Sequence, residues 1–107
     1  MEPGYIIRWT EQALVMLEDI RDRRVRRLLL EAGKGLVRDP DKQGKPMIGS
    51  LGGLRSLRVA GQRYRLLYRV RAKEIRVYVA AVGLRKDGDR NDIYVLAQRL
   101  LRLGLLP

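Results

Sequence analysis

Residues 54–85 read L-R-S-L-R-V-A-G-Q-R-Y-R-L-L-Y-R-V-R-A-K-E-I-R-V-Y-V-A-A-V-G-L-R. Basic and apolar residues alternate through two runs, and a third, more apolar run follows. Breaks at Gly61-Gln62 and Ala72-Lys73 separate them. Alternation with period two is the pattern of a strand with one face buried and one face wet. The first predicted strand, Arg55–Ala60, sets Leu57 and Val59 on one face and Ser56 and Arg58 on the other. Gly61-Gln62 is a two-residue hairpin turn. In the second strand, Arg63–Arg71, Tyr64, Leu66, Tyr68 and Val70 share the core face. Arg63, Arg65, Leu67, Arg69 and Arg71 share the other. The third strand, Glu74–Val82, sets Ile75, Val77, Val79 and Ala81 against Arg76, Tyr78, Ala80 and Val82. The wet face is dominated by arginine. Such a surface is a platform for a polyanion, RNA foremost.

Working outward, Tyr5–Trp9 is rich in β-branched and aromatic residues and predicts a short strand. Thr10 is placed as an N-cap with Glu11 behind it. Ala13, Leu14, Leu17 and Ile20 recur at helical spacing, giving a helix over 10–20. Val25, Leu28, Leu29, Ala32 and Leu36 resume that spacing, giving a second helix over 22–37. The two form a helical hairpin, which Asp39-Pro40-Asp41 ends. The hairpin's charges lie mostly off its apolar stripes and read as a solvated surface. Pro46–Gly49 is a predicted edge strand. Beyond Arg85, Lys86–Asp92 is a polar loop. Asn91 or Asp92 caps a last helix carrying Ile93, Leu96, Ala97, Leu100 and Leu101 on one side. Leu103–Pro107 is an apolar tail, read as a packed terminus in preference to the start of a dimer contact. The expected fold is α+β: a single domain over 1–107 in two layers. An N-terminal helical hairpin packs on a small antiparallel sheet, with a C-terminal helix.

The chain has 107 residues and a formal charge of +11, from 23 Lys and Arg against 12 Asp and Glu. The excess is segregated. Residues 1–44 carry a net +1, and residues 45–107 a net +10. A compositional bias alone would spread evenly, so the placement favours an anionic partner. There is no cysteine and no histidine. Disulfides, thiolate metal sites and a cysteine nucleophile are excluded. So are the common imidazole ligand and the usual general base. No segment has signal-peptide form, and the apolar run Val77–Leu84 is too short to span a bilayer. The expectation is a cytoplasmic protein with no membrane partner, no metal and no cofactor.

What remains for chemistry is arginine, lysine and tyrosine. The guanidinium fork donates two parallel hydrogen bonds to a phosphate and stays charged. It also stabilises charge that grows on phosphorus-bound oxygens. Tyrosine is a possible base for a ribose hydroxyl, and its ring stacks on bases.

The string L-R-S-L-R-V-A-G-Q-R-Y-R-L-L-Y-R-V, the strand ending V-G-L-R and the helix start D-I-Y-V-L-A together resemble the RelE/ParE superfamily of toxins. The preceding helical hairpin and the D-P…G-K-P…L-G-G-L linker fit as well. The resemblance covers roughly residues 5–102. It implies a type II toxin neutralised by a cognate antitoxin. A RelE-type member is a ribosome-dependent endoribonuclease that cuts messenger RNA in the A site by 2′-hydroxyl attack, without metal. On that pattern, Arg65 and Arg85 are phosphate and transition-state ligands. Arg58 is a supporting cation, and Tyr94 is the base or a stacking group. Arg63, Arg69 and Arg76 supply general RNA-binding charge. Where many RelE-type members carry a second lysine, this chain has Ser56. Two alternatives stand: a ParE-type inhibitor of DNA gyrase without nuclease activity, and a non-catalytic nucleic-acid-binding domain.

Overall fold

In the computed structural model, which describes residues 4–107, the first strand, β1, is Ile6–Trp9. Thr10 caps the next element: its Oγ1 accepts from the Ala13 N–H at 3.1 Å. That satisfies one of the donors a helix start leaves free. The helix, α1, is Glu11–Glu18. Asp22 does the same for α2, Arg23–Gly35, accepting from the N–H groups of Arg24 at 2.9 Å and Val25 at 3.3 Å. Ala13, Leu17, Val25 and Leu29 of the predicted stripes are buried, while Leu14, predicted on the same stripe, is 42% exposed. Gly33 lies under the Trp9 ring, where a Cβ would come within 2.8 Å of the indole. A short helix, α3, spans Pro40–Gln43, with proline at its first turn.

The sheet has five strands in the order β1-β5-β4-β3-β2. β2 is Lys45–Pro46, β3 is Arg55–Val59, β4 is Tyr64–Arg71 and β5 is Arg76–Leu84. The expected edge strand over 46–49 is thus shifted and shortened. Gly49, at φ +67°, breaks the extended run, and Gly49–Leu51 is a 3-10 turn. β2 through β5 pair antiparallel, while β1 pairs parallel with β5. A parallel pair needs a long connection. Here the hairpin and the rest of the sheet supply it.

Two local expectations fail. The β3–β4 connection is four residues, Ala60–Arg63, not two. Ala60, Gly61 and Gln62 all have positive φ, and Val59 pairs with Tyr64. In β5 the register slips: Leu67 pairs with Ala81 but Tyr68 pairs with Val79, leaving Ala80 as an extra residue. Such a bulge inverts the alternation beyond it. Val82 therefore joins Val77 and Val79 in the main core, and Ala81 leaves it. Ile75 lies before the strand in the left-handed region and is 45% exposed.

The main core lies between the hairpin and one sheet face and includes Leu17, Leu29, Leu66, Tyr68, Val79 and Val82. A second cluster lies on the other face. There Leu67, Ala80 and Ala81 meet Ile93 and Ala97 of α4, Ile93–Arg102. Gly83 permits the approach, since a Cβ there would stand 3.1 Å from the Ile93 methyl. The face that carries the arginines is thus half covered by α4 and open toward β2 and β3. No described helix is long and apolar enough to cross a membrane.

Tyr68, fully buried, ties the connecting segment to the core. Its hydroxyl donates to the Pro40 carbonyl at 2.6 Å and accepts from the Gly44 N–H at 2.9 Å. Replacing it with phenylalanine leaves both backbone groups unsatisfied. Tyr68→Phe should cost about 1–3 kcal/mol of stability, read as a lower midpoint in denaturant unfolding.

Candidate active site

An open pocket of about 390 Å³ lies where β2, β3 and β4 meet the first turn of α4. Lys45, Ser56, Arg58, Arg65 and Tyr94 line it, with Met47 at one wall. Arg58 and Arg65 are direct cross-strand partners. Like charges placed so are mutually destabilising. The hairpin turn holds both. Arg58 donates to the Gln62 side-chain oxygen at 3.2 Å, and Arg65 donates to the carbonyls of Gln62 and of Tyr64. The left-handed backbone at Gln62, φ +71°, belongs to the turn that presents these acceptors. Two guanidinium forks kept side by side against their repulsion make a cradle for an anion.

Tyr94 enters the pocket from the start of α4. Its hydroxyl lies 2.9 Å from the Oγ of Ser56, which is 7% exposed. The Arg85 guanidinium stands over the phenol ring, 4.3 Å from its centroid. Arg85 is itself held by Asp92 at 2.7 Å and more loosely by Asp87 at 3.6 Å. Asp92 is 1% exposed and caps α4, accepting from the N–H groups of Tyr94 at 3.0 Å and Lys86 at 2.6 Å. The Lys86–Asp92 loop is therefore closed on itself, and the closure delivers Tyr94 to the pocket.

Burial pushes the Asp92 carboxyl up. The hydrogen bonds from Arg85, Lys86 and Tyr94, with the charge of Arg85, outweigh it and leave the carboxyl below its ordinary value. The hydrogen bond to Asp92 in turn raises the Arg85 guanidinium, against its own partial burial. Among the described residues, no group of three or more His, Cys, Asp or Glu side chains is placed to hold a metal. The pocket's polar chemistry is that of cations, amide and hydroxyl groups.

Arg58, Arg65 and Tyr94 line one pocket. Arg85 touches the Tyr94 ring but does not line the pocket. Arg63 is exposed at the rim of the hairpin, and its carbonyl accepts from the Arg85 N–H at 2.7 Å. Arg69 and Arg76 lie elsewhere. Arg69 donates to the Pro107 carbonyl at 2.6 Å, and Arg76 sits 3.6 Å from Glu74. Sequence reasoning missed Lys45, and it saw at Ser56 only a missing lysine. Lys45 pairs with Ser56 across an irregular connection, so its place depends on a register that spacing does not show.

The Asp92 contacts have a pH signature. A carboxyl whose folded pKa is depressed adds stability above its unfolded pKa, about 3.9. That stability is lost as pH falls through the folded value. Asp92→Asn should therefore destabilise the protein at pH 7 by roughly 1–3 kcal/mol. The gap between variant and native unfolding midpoints should close as pH drops below about 4.

A family model described as "ParE toxin of type II toxin-antitoxin system, parDE" matches residues 7–88. No curated protein sequence matches. Among solved structures, the RelBE2 toxin–antitoxin complex of Mycobacterium tuberculosis aligns at 33% identity and TM-score 0.70. That match covers 81% of this chain and 98% of the other. An arginine-to-alanine double mutant of the E. coli toxin RelE in the free state aligns at 20% identity and TM-score 0.70, covering 94% and 98%. The chromosomal ParDE system of P. aeruginosa aligns at 19% identity and TM-score 0.62, covering 76% and 96%. With the family model spanning most of its length and one relative at 33% identity, the chain belongs to the RelE/ParE superfamily and is a toxin of the type II toxin–antitoxin class.

Proposed function

We propose that this toxin is a metal-independent endoribonuclease that cuts messenger RNA in the ribosomal A site. The observation that carries the reading is the convergence of Arg58, Arg65 and the Tyr94 hydroxyl on one open pocket. Arg65, with Arg58 beside it, grips the scissile phosphate and stabilises the charge that grows on its oxygens. Tyr94, in its phenolate form, accepts the proton of the adjacent 2′-hydroxyl and becomes the neutral phenol. The 2′-oxygen bonds to phosphorus, the bond from phosphorus to the 5′-oxygen breaks, and that oxygen takes a proton from water. The products are a 2′,3′-cyclic phosphate and a 5′-hydroxyl. Arg85 acts through the Tyr94 ring, holding it in place with positive charge behind it. Arg63 extends the positive surface from the hairpin rim, and Arg69 and Arg76 add charge farther off.

The toxin acts in the cytoplasm, where its ribosomal substrate is. A cognate antitoxin neutralises it, in keeping with the toxin–antitoxin complexes among its structural relatives. A second reading, gyrase inhibition without cleavage, is favoured by the match to the ParE family model.

Ribosomes programmed with a defined message distinguish the readings. The toxin is expected to cut the A-site codon and to leave gyrase supercoiling unaffected. An intact message with blocked supercoiling overturns the nuclease reading. Arg65→Ala should lower cleavage by about 10²-fold while the thermal unfolding midpoint stays near native. Tyr94→Phe, which keeps the ring and removes only the hydroxyl, should lower cleavage with Arg85 still stacked. Native rates in both variants sink these roles.

A further inference from the structure

Three cations line the pocket with Tyr94 and a fourth, Arg85, stands over its ring; three of the four are already engaged. Arg58 is bonded to the Gln62 side chain, Arg65 to backbone carbonyls, and Arg85 to Asp92. The fourth, Lys45, lines the same pocket and has no hydrogen-bond or ion-pair partner for its side chain among the described residues.

Its position is set by the sheet. Lys45 pairs directly with Ser56 on the antiparallel β2–β3 ladder. Side chains of such a pair lie on the same face, with Cβ atoms about 4.5–5.5 Å apart. Ser56 is the residue whose hydroxyl holds the Tyr94 phenol at 2.9 Å. The lysine stem therefore starts beside the Ser56–Tyr94 bond, and its ammonium can swing over the pocket mouth on four rotatable carbons. Pro46, next in the chain, fixes its own φ and restricts the backbone of Lys45 to extended conformations.

We propose that Lys45 is a phosphate-binding catalytic residue of this site. This rests on the nuclease reading above. Ser56 and Lys45 divide two tasks across one cross-strand pair. The serine orients the proton acceptor, and the lysine brings mobile positive charge to the phosphate that the deprotonated 2′-oxygen attacks. The arginines supply fixed forks, and the lysine supplies a point charge able to follow the phosphate as its geometry changes. Because Lys45 gives up no protein contact when it binds, its full charge is available to the substrate.

The test uses the full-length toxin on ribosomes programmed with a defined message. Lys45→Ala is expected to lower cleavage by about 10²-fold with an unchanged unfolding midpoint. Lys45→Arg should keep most of the rate, and added ethylammonium should restore part of the rate to Lys45→Ala but not to Arg65→Ala. Lys73→Ala, which removes an exposed lysine from the β4–β5 turn, should cleave at the native rate. Native cleavage by Lys45→Ala overturns the role of Lys45 and leaves the nuclease reading standing. So does a loss that neither arginine nor ethylammonium repairs, because the lysine then acts only as structure. If the unaltered toxin leaves the message intact, the nuclease reading and the role of Lys45 fall together.

Discussion

One extra residue in β5, Ala80, decides which side of the sheet its neighbours take. Without the slip between Leu67 and Tyr68, the parity of β5 would put Ala81 under the hairpin and Val82 beneath α4. With it, both Ala80 and Ala81 face the last helix, and Val82 fills the main core. Two alanines and Gly83 make a low shelf that Ile93 and Ala97 can approach closely. A valine on that shelf would hold α4 farther out. Dense interiors tolerate such a change poorly. Because Tyr94 follows Ile93 directly, the bulge in β5 also sets where the phenol points. The packing and the chemistry meet in one backbone irregularity.

The pocket itself works against stability. It places Arg58 opposite Arg65 and adds Lys45, with no carboxylate on its lining. The chain confines its compensating acids to the α4 side. Asp92 neutralises Arg85 from a nearly buried position, and Asp89 lies 3.3 Å from Lys86. On the pocket side, neutral acceptors from the Gln62 turn stand in for acids. Neutral acceptors orient a guanidinium and leave its charge uncancelled. An acid in the same place would orient it and also repel the phosphate. The division between acids behind the phenol and amides before it is what a polyanion site requires.

Much of this was legible in the residues, for local reasons. Thr10 and Asp22 cap where their side chains predict, and Ala13, Leu17, Val25 and Leu29 of the predicted stripes are buried. The hairpin alternation put Arg58 and Arg65 on one face, away from Tyr68 and Leu66. What escaped was non-local. The run Val77–Val82 contains no glycine or proline to mark a bulge, so its parity reads as unbroken. The parallel β1–β5 pair joins residues some seventy positions apart, as in Ile6 with Arg76. The nearness of Lys45 to Ser56 depends on the path of residues 47–54, an irregular segment with its own 3-10 turn.

Arg85 shows how a motif residue can keep its place while its contacts redefine its part. The V-G-L-R ending suggested a direct ligand for phosphate. Its guanidinium also places one nitrogen on a buried carboxylate and its face on a phenol ring. The Asp92 carboxyl is nearly inaccessible to water, so releasing Arg85 from it would leave a buried charge unpaired. From there Arg85 still acts on the pocket through an attraction to the ring face that needs no bond to be broken. Its charge then serves the phenol. In the proposed nuclease reading, phosphate binding falls to the cations that line the pocket, Arg58, Arg65 and Lys45.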